Sequence, residues 1–184
     1  MKVTPCIVFC SLLAISSHTA VGQTRLTVSQ ALDFWITTTE KEVVAAAEAM
    51  PECKYSFAPT KGEFTGVRTF AQQVKHLAAN NYRMAAYILA QTPTPVQESE
   101  TGPDGVQSKA QIVEYVRGSF MVLHRAMAAI NENNLLDPMA AYPSPQQRTR
   151  LQLAEDVVAH SYNHYGQMVE YLRMNGIVPP ASRK

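Results

Sequence analysis

The chain is 184 residues long, 46% hydrophobic and 17% charged, which suits one domain with its own core. Its 16 Lys and Arg nearly cancel its 15 Asp and Glu, leaving a net charge of +1. No basic cluster interleaved with aromatic residues occurs, so a nucleic-acid-binding surface is excluded.

The first residues read as a targeting segment. Lys2 supplies a positive start, and Cys6 to Ile15 (CIVFCSLLAI) is an apolar run. At about ten residues it matches a signal-peptide core, and it is well short of the roughly twenty needed to span a bilayer. Ala20-Val21-Gly22 offers small residues for cleavage and leaves Gln23 as the new N-terminus. The expected organisation is a signal peptide over 1–22 and one domain over 23–184, exported to a periplasmic or extracellular space. No membrane contact is expected after cleavage. Cys6 and Cys10 would leave with the segment, and a lone Cys53 cannot form an internal disulfide. Cys53 follows Pro51-Glu52 in a loop without a nearby base, which argues against a nucleophile.

Four amphipathic runs follow. Thr27-Val28-Ser29-Gln30, Thr69-Phe70-Ala71-Gln72, Ser108-Lys109-Ala110-Gln111 and Ser144-Pro145-Gln146-Gln147 each read as a capping box. The first run puts Leu32, Ile36, Thr39, Val43, Ala46 and Met50 on one face and ends at Pro51. Pro51 to Phe64 has no helical period and reads as a loop over an opening. The second helix is expected from about Phe70 to Ala90, with Val74, Leu77, Met84 and Ile88 inward. Gln91 to Gln107 is a polar crossover loop. The third helix buries Ile112, Val116, Phe120, Leu123, Met127 and Ile130, and Asn131 to Tyr142 leads to the fourth. That helix is expected from Pro145 to about Met174, stopped by Asn175-Gly176. No alternating stretch of β-branched residues occurs. The fold class is all-α, a four-helix bundle with a long crossover loop.

The inward period of the last helix runs through Leu153, Val157, His160, His164, Met168 and Tyr171. Imidazoles in core positions need their nitrogens satisfied. Two histidines at i and i+4 share a face and can chelate one ion, and His76 supplies a third from the second helix. Three imidazoles leave a fourth position open on Zn²⁺, the first choice, and Ni²⁺ or Fe²⁺ also fit. The zinc-protease pattern His-Glu-x-x-His is absent. Asn80, one turn after His76, is a candidate support for the site. Asp156, one turn before His160, is a candidate to orient that ring. His124 has no partner at helical spacing and reads as a boundary residue.

His76 in the stretch Gln-Val-Lys-His-Leu-Ala-Ala-Asn-Asn-Tyr, and His160-Ser-Tyr-Asn-His164-Tyr-Gly-Gln on the last helix, resemble the motifs of the DinB-like (DinB/YfiT) metalloenzymes. The closing Tyr171-Leu-Arg-Met-Asn-Gly-Ile-Val-Pro-Pro180 and the Met50 to Thr60 loop are similar to secreted members of that group. The resemblance covers nearly all of the mature chain. It implies a four-helix bundle with one long crossover and a divalent metal on three histidines, corresponding to His76, His160 and His164. Relatives include thiol-dependent transferases and isomerases, in which the metal holds a small thiol as thiolate.

Such thiols belong to the reducing cytoplasm, whereas this chain reads as exported. Hydrolysis, with a metal that brings the pKa of bound water towards about 7, is the other expected chemistry. Asp156, Glu52 and Glu63 are the candidate bases, none placed decisively. The expectation is a metal-dependent enzyme acting on a small molecule under the Pro51–Phe64 loop. A non-catalytic metal-binding or interaction module, and a bundle without metal, are the alternatives. The apolar faces leave room for a homodimer contact.

Overall fold

The computed structural model describes residues 25–139, 142–143 and 146–183. Residues 1–22, read above as a signal peptide, and Ser144-Pro145, read as the start of the fourth helix, lie outside them. The helices are α1 (Val28–Ala49), α2 (Phe70–Ile88), α3 (Pro95–Glu98), α4 (Lys109–Ala128) and α5 (Arg150–Met174). The four long helices make the bundle, and α3 is a single turn inside the crossover. Among the described residues the only β pairing is an isolated bridge between Pro138 and Thr149. No helix among them is long and apolar enough to cross a membrane.

The packing follows the apolar periods. α1 contacts both α4 and α5, and α2 contacts the same two helices. Ile36, Phe70, Leu77, Phe120, Met127, Leu153 and Met168 from these four helices are fully buried. Contacts run in opposite chain directions between α2 and α5, where Gln73 meets His164 and Ile88 meets Arg150. These two helices are antiparallel.

Capping boxes form at Thr27, Thr69 and Ser108 as the sequence predicts. The fourth helix starts later than Pro145. Gln146, Gln147 and Arg148 are not helical, and the box that forms is Thr149 with Gln152. The Arg148 carbonyl accepts from the Met139 N–H at 2.6 Å, so the approach to α5 is held extended. A further box, Thr94 with Gln97, starts the α3 turn in what the sequence suggested was plain loop.

The loop after α1 closes the end of the bundle. The carbonyls of Phe57 and Tyr55 accept from the N–H groups of Phe70 and Ala71, each at 2.8 Å. The Phe57 ring packs edge-on against Tyr171 of α5. Cys53 is an exposed free thiol there. At this same end of α5, Gly176 takes φ +73°, and the Ile177 N–H reaches back to the Leu172 carbonyl at 3.0 Å.

α2 ends with the same device at a residue that resists it. Ala90 has φ +56°, and the Gln91 N–H donates to the Ala86 carbonyl at 2.8 Å. An L-residue with a Cβ in this region costs about 1–2 kcal/mol. Ala90→Gly is therefore expected to raise stability by about 0.5–1 kcal/mol after the extra unfolded-chain entropy of Gly is set against it, as read by urea unfolding.

His124 is not a bystander. Its Nδ1 lies 2.5 Å from Asp33 Oδ1 and its Nε2 3.0 Å from Glu40 Oε2, both on α1. Burial opposes the imidazolium, but Glu40 and Asp33 outweigh it and raise its pKa. Because the folded value is the higher one, this stabilisation is complete below the unfolded value of about 6.5 and fades as pH rises through the folded value. His124→Gln is expected to flatten the fall in melting temperature between about pH 6 and pH 9, checked by thermal melts across that range.

Candidate metal centre

α2 and α5 bring the three predicted histidines together. His160 Nε2 lies 3.2 Å from His76 Nε2 and 3.2 Å from His164 Nε2. The ligand atoms of all three lie within 4.8 Å of one another. His76 and His164 are 7% and 6% exposed, and His160 is partly buried.

The outer ring nitrogens decide what the inner ones can do. His76 Nδ1 is 2.7 Å from the backbone carbonyl of Glu100, which only accepts, so Nδ1 carries the proton and Nε2 is bare. His164 Nδ1 donates to Gln73 Oε1 at 2.8 Å, and the Gln73 amide donates in turn to Gln167 Oε1 at 2.6 Å. His164 Nε2 is therefore bare as well. His160 Nε2 faces both lone pairs and has one proton at most, which can satisfy only one of them. A cation at the centre resolves the conflict. Two ligands at 2.0–2.1 Å on a tetrahedral ion stand about 3.3–3.4 Å apart, close to the spacing found here. The residues fit a divalent metal.

Electrostatics favour the ligating form. Burial first, then the His76 imidazole and the guanidiniums of Arg83 and Arg68, lowers His160 to about 4. Burial, His160 and His76 lower His164 to about 3. Burial also lowers His76. All three are neutral imidazoles at neutral pH, as metal binding requires.

The supporting residues differ from those the sequence suggested. Asp156 is exposed and does not reach His160, whose buried Nδ1 has no hydrogen-bond partner. Asn80 makes no hydrogen bond to His76; its Oδ1 accepts from Arg83 at 2.9 Å, and its Nδ2 has no partner. Glu52 and Glu63 are exposed on the first loop, and neither joins the histidine group. The segment that does reach His76 is the crossover, through Glu100. Besides its carbonyl, the Glu100 carboxylate lies 3.1 Å from His76 Nδ1, 3.1 Å from Arg83 and 3.6 Å from Arg68. Gln73, Glu100, Arg68 and Arg83 were missed from sequence. Gln73 and Arg83 sit three before and seven after His76, so helical spacing offered a signal for both. Glu100 offered none.

The model of the DinB superfamily matches residues 36–168, a span that includes all three histidines. No curated protein matches the chain. Among solved structures, a DinB-like protein (YjoA) from Bacillus subtilis superimposes with a TM-score of 0.61 at 16% identity, covering 79% of this chain and 92% of that one. At that identity the likeness is one of fold.

The lowered histidines also set an acid limit. Their folded values lie below the unfolded one, so the neutral rings stabilise above about pH 6.5 and that contribution is lost as pH falls through the folded values. Metal-free protein is expected to lose melting temperature steadily below about pH 6.5, and His160→Ala/His164→Ala to weaken that dependence, in melts from about pH 7 to pH 4.

Proposed function

The chain belongs to the DinB superfamily, and from that premise we propose that it is a divalent-metal-dependent enzyme acting on a small molecule, with His76, His160 and His164 holding the ion. The observation that supports this most strongly is the convergence of three Nε2 atoms, two of them bare because their Nδ1 protons are committed. Zn²⁺ is the first choice, and Ni²⁺ or Fe²⁺ suit the same ligands. An ion held by these three rings would supply Lewis acidity. The chain supplies the rest. The Glu100 carbonyl and Gln73 hold the protons on the outer nitrogens of His76 and His164, so both rings keep one orientation. The reaction is of hydrolase or thiol-transferase type, and export to an oxidising space weighs towards hydrolysis. Export itself and a homodimer belong to the same proposal.

A non-catalytic metal-binding module is the second reading. It is favoured by the lack, among the described residues, of a carboxylate that joins the histidine group on its inner side.

Elemental analysis of untagged, chelator-free protein is the test. About one equivalent of metal is expected in the wild type and none in His160→Ala/His164→Ala. Unchanged metal content in the variant would sink the assignment of ligands. The module reading predicts instead that stripping metal lowers the melting temperature while no ester, lactone or thiol adduct is turned over.

A further inference from the structure

We propose that the recess beside the metal centre is a carboxylate-binding site, taking an aromatic monocarboxylate that displaces the side chain of Glu100 from Arg83 and Arg68. This rests on the metal reading above and names the substrate class for that site.

The recess has a volume of about 280 Å³ and is bordered by Arg83, Met84, Tyr87, Glu100, Tyr142 and Pro143. Its walls mix polar and apolar surface, with the Tyr87 and Tyr142 rings meeting edge-on at 5.1 Å. Pockets of this make-up bind the body of a ligand by burial and its orientation by a few polar groups. The polar groups here are cationic. Arg83 is largely buried and is aimed by Asn80 Oδ1 at 2.9 Å. Arg68 stands on the other side of the same carboxylate.

Glu100 has the geometry of a substitute anion. Its side chain is 59% exposed, and every partner it has is a cation or an imidazole. Its backbone carbonyl is the nearer acceptor for His76, at 2.7 Å against 3.1 Å for the carboxylate. The carboxylate can therefore swing away while the carbonyl keeps His76 in place. Arg83 would then border the recess with no counter-charge, with Arg68 freed of the same carboxylate beside it, and guanidiniums are the groups that planar carboxylates match best.

A second observation points the same way. Asn80 is 4% exposed, and its Nδ2 has no partner. Native structures seldom leave a buried donor unused, since it costs about 1–3 kcal/mol. An acceptor held by Arg83 would lie next to the amide that positions Arg83. Carboxylate oxygens supply such an acceptor; an amide or alcohol of the same shape supplies less charge.

The experiment is calorimetric titration of the zinc-loaded full chain with phenylacetate and, in parallel, the neutral phenylacetamide. Zinc content is measured on each sample. Phenylacetate is expected to bind about tenfold or more tightly than the amide, and Arg83→Gln to lose about tenfold or more of that affinity, the scale of one charge-assisted contact. Glu100→Gln, which keeps the carbonyl and removes the competing charge, is expected to gain affinity about threefold or more. That second variant keeps the test valid if Arg83→Gln folds poorly. Equal binding of acid and amide, no binding of either, or no gain in Glu100→Gln overturns the proposal. Wild-type protein that holds no zinc under these conditions overturns the metal reading instead, and phenylacetate titrated into that sample then judges the carboxylate site alone.

Discussion

The Nδ1–H bonds of His76 and His164 are the constraint on which the site depends. A buried imidazole with both nitrogens unmet is costly, and this bundle buries two of its three with the outer proton committed. Once the outer proton is committed, ring rotation is lost and the inner lone pair has one direction. α5 then needs only its i,i+4 geometry to set two rings on one side. α2, running antiparallel, brings the third to the same depth. The convergence follows from ordinary helix packing plus two acceptors in the right places.

Those two acceptors come from different levels of the fold. Gln73 belongs to the helix that carries His76 and is fixed by Gln167 across the seam, so helix packing alone positions it. Glu100 comes from the crossover, whose path is set by the α3 turn and by Lys75, which donates to the Pro103 carbonyl at 2.8 Å. One ring is thus oriented by the bundle and one by the connection that spans it. His160 alone lacks an outer partner, and it is also the least buried of the three.

Much of this was legible in the sequence because helices write their grammar locally. The apolar stripes, three of the caps and the Asn175-Gly176 stop follow from short-range rules, and the structure keeps them. The histidine triad was legible because two of its members share a helix at a telling interval. The failures share a different cause. Ser144 with Gln147 and Thr149 with Gln152 carry the same local signature, and the second is the one that stands beside the bridge to Pro138 and the Met139 hydrogen bond. Asp156 had the right spacing from His160, but it is exposed and makes no hydrogen bond to that ring. Glu100 and the two acids facing His124 act across tens of residues of chain, a distance at which helical periodicity says nothing.

The anchoring of the crossover bears on which sequence changes the fold tolerates. A long polar connection is ordinarily where insertions and deletions accumulate, since surface loops lengthen at little thermodynamic cost. In this chain the stretch from Glu100 to Pro103 is tied to α2 at both ends, by His76 and by Lys75. A residue added between those ties would shift one anchor relative to the other and move the Glu100 carbonyl off its ring. Length change is therefore expected to be tolerated at the flanks, around 91–93 and 104–107, while the middle of the loop carries the same restraint as the helix beneath it.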